Sequence, residues 1–119
     1  MGQVPQKNGL MIGDGKMARH WRHYLETQGL PLASWARSKA QPSPKGELSA
    51  YFSNFSTLFL GITDDSLEEF YETYLTTFTG TIFHFSGSYS HKRMIGLHPL
   101  MTFGENLYTA EFYEQIPLF

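Results

Sequence analysis

Short apolar runs alternate along this chain with longer segments in which apolar residues recur every three or four positions. Leu10-Met11-Ile12 is the first run, bounded by Gly9 and Gly13, and predicts a buried strand. From Lys16 the period changes. Met17, Trp21, Tyr24 and Leu25 fall on one face of a helix, and Arg19, His20, Arg22 and His23 fall mostly outside that stripe. Gly29 stands where a helix stop is expected. Leu30-Pro31-Leu32-Ala33-Ser34-Trp35 predicts a second strand, entered through a proline that fits its start. Strand, helix and strand make a βαβ unit, whose right-handed crossover lays the second strand parallel to the first.

Ala40–Gly46 predicts a loop, because two prolines and a glycine exclude regular structure. Glu47–Phe55 predicts a short helix with Leu48, Tyr51, Phe52 and Phe55 on one side. Only 22 residues separate Trp35 from Leu58, where a full dinucleotide half places a helix and a third strand, so much of that edge unit is expected to be lost. Thr57–Ile62 is the clearest buried strand, a continuous apolar run. Asp65 and Glu68 have capping-box spacing, and Leu67, Phe70, Tyr71, Tyr74 and Leu75 form the stripe of the helix that follows. Thr81–Phe85 and Met94–Leu97 predict two more strands around the polar turn Ser86–Ser90. Tyr108–Glu114 reads as a short helix or a turn and Gln115–Phe119 as a terminal strand. The expected fold is α/β: a three-layer, Rossmann-like doubly wound sheet, mainly parallel, with its third-strand unit shortened.

Composition narrows the class. With 119 residues, 41% of them hydrophobic, the chain is one domain's worth with enough apolar surface for a core; residues 1–9 read as a frayed polar lead-in. A net charge of −2 argues against nucleic-acid and anionic-membrane partners, which select a basic excess. No cysteine is present, so disulfide and thiolate chemistry are excluded, and a reducing cytoplasm is the expected location. No apolar run approaches the roughly 20 residues that span a bilayer, and Met1–Asn8 lacks a basic-then-apolar leader layout.

The chemistry concentrates where the first run meets the first helix. In Gly13-Asp14-Gly15-Lys16-Met17-Ala18 two glycines allow a tight turn and close backbone approach. The first N–H groups of the helix, at its positive dipole end, then face an anion. Ala18 takes the small-residue position at which helix and strand pack closely in dinucleotide folds. Arg37-Ser38-Lys39 follows the second strand, where an acidic residue suits the ribose of NAD and a basic cluster suits the 2′-phosphate of NADP. No Asp or Glu lies between Gln28 and Gly46, which favours NADP; a solvated basic loop is the alternative. Asp64 and Asp65 acidify the start of the later helix, so the first helix is the better anion site; plain capping also accounts for the pair.

Ligands of open parallel sheets bind beyond the carboxyl ends of the strands. Those ends are Gly13–Met17, Arg37–Lys39, Thr63–Asp64, Ser86–Ser88 and His98, which are expected to share one rim. His84 and His98 are the titratable candidates there for acid–base work, against a backbone hydrogen bond for His84 and a turn for His98. His84, His91 and His98 recur every seven residues but cross a strand, a loop and a strand, so no metal site is expected. Ser86 lies in no nucleophile-elbow sequence.

Met11-Ile12-Gly13-Asp14-Gly15-Lys16-Met17-Ala18 resembles the opening of pyrroline-5-carboxylate reductase and of deazaflavin-dependent NADP oxidoreductases. Leu60-Gly61-Ile62-Thr63-Asp64-Asp65, His84-Phe85-Ser86-Gly87 and Leu97-His98-Pro99-Leu100-Met101-Thr102-Phe103 narrow the match. Together they resemble the N-terminal domain of a Rossmann-like family paired with a helical domain, within the 6-phosphogluconate-dehydrogenase-like superfamily. The resemblance implies that Gly13, Asp14, Gly15, Lys16 and Met17 wrap the pyrophosphate of NADP, and that Arg37, Ser38 and Lys39 hold its 2′-phosphate. Thr63 and Asp64 would approach the ribose or nicotinamide side, with Ser86 and His98 at the substrate end. Relatives continue into a helical domain that completes the substrate cleft and much of a dimer interface; here that domain is expected to be absent.

Two readings follow. One is the NADP(H)-binding domain of an oxidoreductase, with hydride transfer to or from a small carbonyl, imine, alcohol or amine. The other is a non-catalytic nucleotide-binding or interaction module, using Tyr108, Phe112, Tyr113 and Phe119 to meet a partner or a second copy. A flavodoxin-like binding protein is disfavoured, because the glycine turn has dinucleotide spacing.

Overall fold

The computed structural model describes residues 9–37, 45–98 and 106–116. The elements are β1 (Gly9–Ile12), α1 (Lys16–Thr27), β2 (Ala33–Trp35), α2 (Lys45–Phe52), β3 (Thr57–Leu60), α3 (Asp64–Phe70), β4 (Thr81–His84), β5 (Ile95–Gly96) and α4 (Ala110–Glu114). A π-helical turn, Tyr71–Leu75, continues α3. The sheet has five strands in the order β2-β1-β3-β4-β5. Every pairing is parallel, with Leu10 beside Ala33 and Leu58, Leu58 beside Ile82, and Phe83 beside Ile95.

This order follows from the handedness of βαβ crossovers. The step from β1 to β2 runs one way across the sheet and the later steps run the other way, so α1 covers one face and α2 and α3 cover the opposite face. Side chains alternate accordingly along each strand. Leu10, Ile12, Leu58, Leu60 and Ile82 pack with Phe52, Leu67 and Phe70 in one layer. Met11 and Phe59 pack with Ala18 in the other, joined by the half-buried Trp21, Leu25 and Phe83. The result is a Rossmann-like doubly wound α/β fold whose third-strand unit, among the described residues, is reduced to α2. Its strand order is what a six-stranded dinucleotide sheet becomes on losing its outermost strand, and flavodoxin-type folds share it. In both, direction reverses between β1 and β3.

Local chemistry sets the element ends. Gly29 takes a positive φ of 79° and closes α1. Its N–H donates to the Glu26 carbonyl at 3.1 Å and that of Leu30 to the Leu25 carbonyl at 2.9 Å, a Schellman stop. This stop holds Leu30 out of the sheet and 60% exposed, so β2 begins at Ala33 rather than Leu30.

Several expected boundaries shift. Thr63, in extended conformation, is the N-cap of α3, so Asp64 and Asp65 fall in its first turn and Asp65 does not open a capping box. α2 begins at Lys45, inside the expected loop. Gln115 caps α4 and so does not start a strand. His20, outside the predicted stripe, is buried. Gly9, the last residue of the expected lead-in, is instead buried as the first residue of β1. Residues 1–8, most of the loop after Lys39 and the terminal residues 117–119 lie outside the described residues. Among the described residues no helix is long and apolar enough to cross a membrane.

Candidate functional site at the strand ends

β1 ends in Gly13, which takes a φ of 115°. Its N–H donates to the Trp35 carbonyl at 2.8 Å, and the Gly61 N–H donates to the Ile12 carbonyl at 2.8 Å, so the ends of β2, β1 and β3 are laced together. A Cβ on Gly13 would lie 2.3 Å from the Gly61 carbonyl oxygen. A Cβ on Gly61 would lie 2.9 Å from that of Ala18, which explains why the helix carries a small residue there. Gly15 differs. It is the N-cap of α1 at an ordinary φ of −73°, and a Cβ there would meet nothing within 4 Å. Its missing side chain leaves open space in front of the helix.

That space belongs to a crevice of about 470 Å³ at the point where strand direction reverses. Gly13, Asp14 and Gly15 line it from β1, Trp35, Ala36 and Arg37 from β2, and Gly61, Ile62 and Thr63 from β3. Gly13, Asp14, Gly15, Arg37 and Thr63 are thus brought together. Lys16 and Met17 stand in the first turn of α1, outside this lining. Ser38 and Lys39 lie outside the described residues. The N-terminus of α1 has no acidic residue in its first turn, so the helix dipole favours an anion there. A smaller cavity of about 170 Å³ opens on the other side of the Gly13-Asp14 turn, between α1 and β2, and Arg19, Arg22 and Ser34 help to line it.

Further along the rim, Ser86 ties three segments together. Its hydroxyl donates to Asp64 Oδ2 at 2.8 Å and accepts the N–H groups of Ser88 at 3.2 Å and Tyr89 at 3.0 Å. Its own N–H donates to His84 Nδ1 at 3.1 Å. A neutral His84 accepting there carries its proton on Nε2. Burial of His84 lowers its pKa, nearby Asp64 works the other way, and His91 adds to the lowering. His98 lies over Gly87, where a Cβ would be 3.0 Å from the imidazole, and its Nδ1 is 3.4 Å from the Phe85 carbonyl.

The three histidines of the seven-residue recurrence do not form a common ligand group among the described residues, although His91 is near enough to act on His84. Among the described residues the potential ligands that do approach are Glu68, Glu72 and His91, within 4.8 Å of one another. His91 Nδ1 accepts the Arg93 N–H at 3.0 Å, which puts its proton on Nε2, the nitrogen facing Glu68. Ligation through Nε2 would cost that hydrogen bond.

Two arrangements escaped the sequence. His20 Nδ1 lies 2.8 Å from the hydroxyl of Tyr113, which also accepts the Tyr108 N–H at 2.9 Å; this pair fastens α4 to α1. Arg19 and Arg22 share a cavity with β2. Neither has a sequence signal, because each depends on residues from a distant element. Comparison of the chain with protein-family models, with curated proteins and with solved structures gives no match.

Proposed function

We propose that this chain is a NADP(H)-binding Rossmann-like domain of the 6-phosphogluconate-dehydrogenase-like kind, acting in hydride transfer with a small carbonyl, imine, alcohol or amine. The observation that carries the reading is the crevice at the β1/β3 reversal, which joins the Gly13–Gly15 turn to Arg37. The donor set fits a dinucleotide. Backbone N–H groups of a helix N-terminus suit a pyrophosphate, and the open space at Gly15 admits its close approach. Arg37 at the end of β2, where the other lining residues are Trp35 and Ala36, suits a 2′-phosphate; the crevice's one carboxylate, Asp14, stands on the glycine turn.

In this reading Gly13, Asp14, Gly15, Lys16 and Met17 surround the pyrophosphate, Arg37 with Ser38 and Lys39 holds the 2′-phosphate, and Thr63 and Asp64 stand toward the ribose. The bound nicotinamide would supply the hydride chemistry. Ser86 holds Asp64 in place, and His98 faces the substrate end of the rim. A non-catalytic binding module is the second reading. What favours it is that the Ser86 hydroxyl is engaged by Asp64 and two amides, and that His84 is buried.

Arg37→Ala tests the cofactor assignment. Titration followed by tryptophan fluorescence, with Trp35 in the crevice as reporter, should show NADPH weakened more than NADH; equal losses would contradict it.

A further inference from the structure

The cavity between α1 and β2 is not used by that reading. It shares Gly13, Asp14, Trp35 and Ala36 with the main crevice, so the two spaces adjoin at the Gly13-Asp14 turn and the end of β2. Arg19 and Arg22 are three residues apart on α1 and therefore neighbours on one helix face. Helical side chains lean toward the helix N-terminus, which here directs both toward the rim. Opposite them stands Ser34, exposed on β2, the edge strand of the sheet. Asp14, on the exposed turn, is the one carboxylate in this lining against two guanidinium groups. Arg22 is half-buried, and among the described residues no carboxylate pairs with it. Removing a cation from water without a counter-charge is costly, and a guanidinium fork matches phosphate oxygens two at a time.

We propose that this cavity is a phosphomonoester subsite, taking the 2′-phosphate of the dinucleotide, with Arg22 and Arg19 as specificity-determining residues alongside Arg37. It rests on the reading above for the rest of the ligand. The 2′-phosphate is thereby held from two directions: by Arg37 at the end of β2, and by α1 from across the turn. Ser34 offers a hydroxyl at the strand edge.

The test is calorimetric titration of the full chain with adenosine 2′,5′-bisphosphate and with 5′-AMP, which differ only in the phosphomonoester. The wild-type chain should bind the bisphosphate about tenfold or more tightly, and Arg22→Gln should lose most of that ratio with 5′-AMP affinity unchanged. Arg22→Lys, which keeps the charge and loses the fork, should fall between. Lys92→Gln, which removes a charge from an exposed turn, should keep the wild-type ratio. No wild-type preference, or an unchanged ratio in Arg22→Gln, would overturn the proposal. NADPH and NADH titrated alongside separate the two ideas. If neither binds while the bisphosphate preference persists, the dinucleotide reading falls, and the cavity stands as a phosphomonoester site for a ligand other than the dinucleotide. If both bind equally, the subsite and the 2′-phosphate role of Arg37 fall together, and binding of a dinucleotide at the crevice stands.

Discussion

Gly13 and Gly61 face each other across the reversal of strand direction so closely that a Cβ on Gly13 would sit 2.3 Å from the Gly61 carbonyl oxygen. The contact is backbone against backbone, so no side chain can rotate away to relieve it. Gly13 also has a φ of 115°, which disfavours any residue with a side chain. Gly13→Ala should therefore cost about 3 kcal/mol or more of stability in urea unfolding. A cost below about 1 kcal/mol would mean that β1 and β3 do not approach as described.

Gly15 is the contrasting case. Its φ is ordinary and a Cβ there meets nothing within 4 Å, so Gly15→Ala should change stability by less than about 1 kcal/mol, the scale of an N-cap change. If the open space admits a pyrophosphate, the same substitution should weaken NADPH several-fold. Loss of stability without loss of affinity would reverse the roles assigned to the two glycines.

Ser86 has its hydroxyl committed on both sides, to Asp64 as donor and to two backbone amides as acceptor. Ser86→Ala would leave the N–H groups of Ser88 and Tyr89 without that acceptor and should cost about 2 kcal/mol. Thermal or urea unfolding checks this. A neutral result would show that water replaces the hydroxyl at no cost.

Stability should depend on pH through His84. Its ordinary pKa is 6.5, and in the folded chain burial holds it lower. Just below pH 6.5 the unfolded chain therefore binds more protons than the folded one, so stability falls as the pH drops from 6.5 toward the folded value. His84→Asn, whose amide oxygen can accept the Ser86 N–H, should flatten unfolding free energy between neutral pH and about pH 5. An unchanged slope would place the titration elsewhere.

The α1–α4 contact gives a last structural prediction. Tyr113→Phe removes both the 2.8 Å contact with His20 and the acceptor for the Tyr108 N–H. The cost should be about 1–3 kcal/mol, with hydrogen-exchange protection lost first in α4. Uniform loss across the sheet would contradict a local latch.

The fold was legible where a local signal and its physical cause lie in the same few residues. The apolar run of β1, the helical stripe of α1 and the stop at Gly29 are such cases, and so is the shortened span between Trp35 and Leu58. Boundaries failed where a neighbour decides them. Leu30 is apolar and next to a proline, yet the Schellman hydrogen bond to Leu25 keeps it outside β2. Thr63 takes the N-cap because the chain leaves β3 extended, which the acidic pair after it disguised. Gly13 was readable because its φ and close approach constrain residue type directly, whereas nothing in the backbone requires Gly15. His20 was not, since its partner Tyr113 is 93 positions away. The cavity beneath Arg22 was hidden too, because its other wall comes from β2.

The most direct test of the account is isothermal titration calorimetry of the full chain with NADPH and with NADH under identical conditions. The account predicts saturable one-to-one binding of NADPH and clearly weaker binding of NADH. No binding of either nucleotide at millimolar concentration would contradict it.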